Sequence, residues 1–283
     1  MAQTLNRSKG LSRSEVVAFA ALALGAVSAV LFARDNEAFL EISALGAATG
    51  FVTGGWLLVR YARTTENDDA ASFLYVGIGV QLAGVWMVVT GAIASLVDVP
   101  AFGPLDFPFF FAYGLFLAAL VRFPAVNLGW RSQMRILLDG LVGAVSVATI
   151  IWTTSKDALA MRLEGLSNAQ QAIGLAYPVL DVAIVVGAMI VILRRGRYRF
   201  DIRLFALSAA FGLQSAADID FLTSSPTGLL TDARPNMLLF IGASSAIIAT
   251  GLLVNRAPQP VEIADRKPPL WSYAIPYLLG AGV

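Results

Sequence analysis

The stretch AYPVLDVAIVVGAMIVIL, Ala176 to Leu193, holds a carboxyl group, Asp181, in an otherwise unbroken run of apolar side chains. An ionised carboxylate in such a setting costs several kcal/mol unless it is neutralised, paired or wet, so its position calls for a partner. Tyr177 stands four residues earlier on the same helical face and could donate a hydrogen bond to it. Pro178 removes a backbone donor and frees a carbonyl, which predicts a kink and a locally polar face. A second stretch, LQSAADIDFL, places Gln214 and Asp218 on one face, with Asp220 nearer the end, and Glu41 adds a further carboxyl. Two or three carboxyls turned into one poorly hydrated cup would share a proton or bind a cation. On this reading Tyr177, Asp181, Gln214, Asp218, Asp220 and Glu41 face an ion or small-molecule ligand. The competing reading is that they hydrogen-bond to neighbouring helices and fix the packing.

Elsewhere polar groups in apolar runs have plainer explanations. Asp139 follows Arg135 by four residues, the spacing of an interfacial ion pair whose arginine snorkels to the water. Gln81 reads as interhelical glue. Gly46, Gly50 and Gly54 form a doubled GxxxG ridge that lets another backbone come close, within the bundle or, as an alternative, in a homodimer.

The elements that carry these residues follow from composition. With 57% hydrophobic and 14% charged residues, against roughly 25% charged in ordinary soluble domains, the chain cannot hide its apolar surface in a soluble core. The apolar residues recur in blocks of about 20, long enough to cross a bilayer. Helical spans are predicted at about 15–33, 40–59, 72–97, 106–122, 134–153, 173–193, 203–223, 235–254 and 269–283. The expected fold is therefore an all-α polytopic transmembrane bundle, with about eight complete spans and a truncated ninth. Residues 1–14 form a basic tail, and residues 15–283 one transmembrane domain cut short at its C-terminus, where a tenth helix and an output domain would follow. The first span follows Arg7, Lys9 and Arg13 and is too long for a comfortable signal peptide, so it reads as an anchor.

Basic residues set the direction. Of the 20 lysines and arginines, all but Arg34, Lys156, Arg162 and Arg234 fall in the N-terminal tail or in the connections after even-numbered spans, which puts the N-terminus in the cytoplasm. The opposite face collects Asp35, Glu37, Glu41, Asp98, Asp106, Asp157, Glu164 and Asp232. The densest inner charge, RRGRYRFDIR from Arg194 to Arg203, reads as a stop-transfer anchor or as a surface for anionic lipid or a docking partner. Leu159, Leu163 and Leu166 share one face of an otherwise polar stretch, as in a short helix lying on the outer surface. The spans beginning near Pro104, Pro178 and Pro235 share a layout of proline, small apolar residues and inner arginine. Either two-helix units are repeated, or any helix running inward after a turn looks this way.

Several chemistries are excluded. Cysteine and histidine are absent, and the only lysines, Lys9, Lys156 and Lys267, lie outside the spans. Disulfides, imidazole bases, thiolate or haem ligation and a retinal Schiff base are therefore out of reach. No cofactor, metal centre or nucleic-acid partner is expected, and no extramembrane stretch is long enough for a catalytic domain, so the chain does not read as an enzyme.

The pair RILLDGLVGAVSVATIIW and AYPVLDVAIVVGAMIVILRR, with Asp139, Tyr177, Pro178, Asp181 and Asp218, resembles the multi-helix N-terminal membrane region of actinobacterial-type signalling proteins that carry cytoplasmic GGDEF and EAL domains. The resemblance covers roughly residues 40–283 and implies a sensory and anchoring module of the bacterial cytoplasmic membrane, coupled to cyclic di-GMP turnover. No GGDEF or EAL string occurs in the chain itself. The alternatives are a secondary transporter of a small solute, which polar residues near the midplane also fit, and a structural membrane subunit without a ligand.

Overall fold

The computed structural model describes residues 39–94, 102–123, 163–196, 201–224 and 234–256, with individual residues between 18 and 27, at 96 and 97, and between 134 and 161. Among the described residues every regular element is helical. Six long helices organise the described residues: α1 (Phe39–Thr64), α2 (Ala70–Ala94), α3 (Phe107–Arg122), α4 (Asn168–Gly196), α5 (Ile202–Ser224) and α6 (Arg234–Arg256). The described residues at 18–27 and 134–163 are helical as well. The predicted span at 269–283 lies outside the described residues.

Helix boundaries follow local chemistry. Asp106, in the 3₁₀ turn Pro104–Asp106, accepts a 2.7 Å hydrogen bond from the Gly103 amide just before α3. Pro108, in the first turn of α3, sits where its missing N–H costs nothing. Trp86 of α2 pins this turn by donating to the Leu105 carbonyl at 2.6 Å. Helix α4 begins about five residues before its predicted start. Ser167 and Gln170 make a reciprocal cap there, Ser167 N–H donating to Gln170 Oε1 at 3.1 Å and Gln170 N–H to Ser167 Oγ at 3.4 Å. Immediately upstream Gly165 takes φ 78°, the left-handed turn that ends the preceding helical stretch. Leu163 and Leu166, predicted to share the apolar face of a short outer-surface helix, pack against Phe102; Leu159 lies outside the described residues. Helix α4 runs unbroken through Pro178.

The six helices close into a ring, each packing on its neighbours in the chain, with α6 returning to α1. Helices α1 and α6 run parallel, Gly50 facing Ser244, Gly54 facing Ile247 and Ile248, and Gly251 facing Leu57. A Cβ at Gly54 would lie 2.9 Å from the Ile248 backbone nitrogen, so this half of the glycine ridge serves contact within the chain. Gln81 packs against Gly55 across the α1–α2 interface. Helices α3 and α4 are also parallel, with Leu120 against Gly187, although a helical segment separates them in the chain. Phe116 of α3 and Phe211 of α5 meet inside the ring, centroids 5.2 Å apart. Outside it, Leu45, Ile78, Val85, Val88, Phe111, Val121 and Val179 are exposed, an apolar jacket suited to lipid.

Candidate functional site

Three helices converge on one phenol. Tyr113 of α3 places its hydroxyl 2.7 Å from Asp181 Oδ1 of α4 and 2.8 Å from Asp218 Oδ2 of α5. Gln214, one turn before Asp218, donates its Nε2–H to the same Asp218 oxygen at 3.0 Å. Asp181 is 1% exposed, so water does not solvate it in this packing. The hydroxyl has one hydrogen and two oxygens to satisfy. If both carboxyls were ionised, one of these short contacts would be oxygen against oxygen without a hydrogen between them, beside a second like charge. A proton held by either carboxyl removes both problems, donating into the phenol oxygen while the phenol donates to the other carboxylate. The cluster is thus built to hold one proton between two acids from different helices.

The structure redistributes the residues picked out from sequence. Asp181, Gln214 and Asp218 come together. Tyr177 does not bond to Asp181. Its hydroxyl donates instead to Asp106 Oδ1 at 2.5 Å, because the parallel packing of α3 beside α4 brings Asp106 to that level. The Tyr177 ring still borders the cluster, edge-on to Tyr113 with centroids 6.2 Å apart. Asp220, two residues past Asp218 and thus turned well away from it on the helix, is not joined to the Tyr113 hydroxyl. The Glu41 side chain, Arg135 and Asp139 lie outside the described residues. Neither Tyr113 nor Asp106 was singled out from sequence as a partner for these groups. The available signal was depth: Tyr113 lies about as far past the start of its predicted span as Asp181 does past the start of its own.

A cavity of about 50 Å³ opens beside the cluster, within the ring. Its wall is apolar, with Phe51, Val80, Phe116 and Ile247 among its members, except where Tyr113 and Gln214 reach it. Among the described residues no group of three or more acidic side chains is spaced to hold a metal ion.

A second polar cluster occupies the opposite end of α5. Arg203 is 3% exposed and grips Asp201 through two hydrogen bonds, Nε to Oδ1 at 3.0 Å and Nη2 to Oδ2 at 2.9 Å. The same guanidinium lies 3.5 Å from Asp69 in the α1–α2 turn, and Tyr61 donates to Asp69 at 2.9 Å. Arg203 closes the basic run predicted to act as a stop-transfer or lipid-contact surface, yet here it is buried and bound to protein carboxylates. Helix α5 therefore contributes Asp218 to the acid pair at one end and Arg203 to a buried ion cluster at the other.

Together these features define an all-helical protein that has, among the described residues, five helices long and apolar enough to cross a membrane: Ile42–Thr64, Ala70–Ile93, Pro104–Arg122, Asn168–Ile192 and Asn236–Arg256. Helix α5, bearing Arg203, Asp218 and Asp220, is not among them. Compared with known proteins, the chain matches no family model, no curated protein and no solved structure.

Proposed function

We propose that this protein is a sensory and anchoring module of the bacterial cytoplasmic membrane, spanning it with about eight complete helices and a ninth begun near residue 269, with the N-terminus inside. The observation that carries the reading is the Tyr113 hydroxyl held between Asp181 and Asp218, since it ties three helices together through a single titratable arrangement. A change in proton, ion or ligand occupancy there alters which of the three helices attract one another, and α5 carries the change to the Arg203–Asp69 cluster on the inner face. Binding drives such a shift only through a difference in affinity between the two packings. The resemblance to GGDEF- and EAL-linked membrane regions supplies the output, a cytoplasmic enzyme of cyclic di-GMP turnover joined to the last helix.

Because the native chain has no cysteine, site-directed labelling needs no background removal. Cysteines at Glu66 and Arg122, both exposed near the inner helix ends, would carry spin labels in liposomes. The expected result is two distance populations whose ratio shifts with outer pH and freezes in Asp218→Asn. One invariant distribution in all conditions would remove the sensory reading. Solute uptake abolished by Asp181→Asn and Asp218→Asn would replace it with transport. Reaction of a cysteine at Lys156 with an impermeant reagent from outside, and protection of one at Glu66, would test the orientation.

A further inference from the structure

We infer that the cavity beside Gln214 is a binding site for a small uncharged molecule of roughly two to four heavy atoms, apolar along its body with one hydrogen-bonding end. The inference rests on the sensory reading and narrows it by naming the class of ligand.

Size sets the first limit. An engineered cavity of about 150 Å³ accommodates benzene, so a space of about 50 Å³ is too small for sugars, amino acids and nucleotides. Charge sets the second. Among the described residues no lysine or arginine lines the cavity, and an anion would also meet the acid pair immediately behind Tyr113 and Gln214. A monovalent cation would find a single amide oxygen and otherwise aromatic and aliphatic walls, too few oxygen ligands to replace its water.

The wall then fixes how a neutral guest would lie. The Tyr113 hydroxyl is already committed to two carboxyls, which leaves its ring as the surface offered to the cavity. Gln214 uses one N–H on Asp218, keeping its second N–H and its Oε1 for a guest. The polar end of the molecule therefore meets Gln214, and its carbon body meets Phe51, Phe116 and Ile247. A short alcohol has this shape and this pattern of donors and acceptors. Occupancy would reach the acid pair through the Gln214 amide, whose other hydrogen already holds Asp218.

The experiment uses crystals of the full chain exposed separately to 2-bromoethanol and to pressurised xenon, with anomalous scattering locating each. Expected are a bromine position in the cavity with the hydroxyl toward Gln214, and xenon in the same space. In Gln214→Leu, bromoethanol should bind at least roughly tenfold more weakly while xenon stays, the cost of one lost hydrogen bond. Ala210→Leu, which fills the cavity from α5, should exclude both. The inference is overturned if ordered waters fill the space and neither probe displaces them, if neither probe gives a peak, or if bromoethanol binds Gln214→Leu unchanged. The sensory reading fails separately: a bound alcohol that leaves the spin-label distances at the inner face unmoved would keep the site and discard the coupling.

Discussion

Tyr113→Phe removes one oxygen and leaves the ring, with its contacts to Phe116 and Tyr177, each at 6.2 Å between centroids. Two hydrogen bonds are lost: the ionised carboxyl loses the phenol O–H, and the protonated one loses the oxygen it donates to, while Gln214 still reaches Asp218 and Ser215 still reaches Asp181. Interhelical hydrogen bonds in membrane proteins average about 0.6 kcal/mol, so two of them set a floor near ~1 kcal/mol. A buried polar group left unmade costs about 1–3 kcal/mol, a penalty that the remaining Ser215 and Gln214 hydrogen bonds reduce. The expected destabilisation is therefore about 1–2 kcal/mol, measured by reversible unfolding in mixed micelles titrated with a denaturing detergent. Asp218→Asn is the diagnostic companion. Its amide can donate to the phenol oxygen as a protonated carboxyl would, so the loss should stay under about 1 kcal/mol. The infrared band of a protonated carboxyl should be present in the native protein and vanish in the Asp181→Asn, Asp218→Asn double variant. A Tyr113→Phe protein within about 0.5 kcal/mol of native, or a native spectrum lacking that band, would refute the shared-proton arrangement.

At the other end of α5, Arg203→Met leaves Asp69 and Asp201 without their cation in a buried setting and should cost about 3–5 kcal/mol in the same unfolding assay; a loss below about 1 kcal/mol would mean that water already solvates the cluster. Gly54→Ala places a Cβ 2.5 Å from Ile247 Cγ2 and should destabilise by about 1–3 kcal/mol, whereas Gly91→Ala meets nothing within 4 Å and should be neutral or slightly stabilising, a contrast that melting temperatures would read directly. Ser167→Ala removes the cap of α4 and should cost about 1 kcal/mol, with faster amide exchange confined to residues 168–171 as its signature.

How much of this was legible in the sequence depends on what periodicity and polarity can report. The described helices begin and end close to the predicted limits, because apolar run length, proline and arginine are local signals. The early start of α4 is a local signal too, since the Ser167–Gln170 pair is a capping pattern placed in a stretch judged only by its low hydropathy. Partner identity is another matter. Helical spacing correctly put Gln214 beside Asp218, a contact within one helix. The same rule applied to Tyr177 and Asp181 failed, because spacing states that two side chains share a face and is silent about what the opposite helix offers them. The turn before α3 offers Asp106 to one and α3 offers Tyr113 to the other, because α3 packs in parallel on α4. That arrangement is a non-neighbour packing choice with no periodic trace. Arg203 teaches the same point from the charged side: within a run of arginines it looks like one more interfacial cation, and only the approach of the α1–α2 turn makes it a buried one. In a bundle of apolar helices the polar residues thus mark where recognition between helices occurs, but the pairing belongs to the ring as a whole. Moving one helix by a single turn would give Asp181 and Asp218 different partners, and this sensitivity to register is what would let occupancy at the site be felt at the far end of α5.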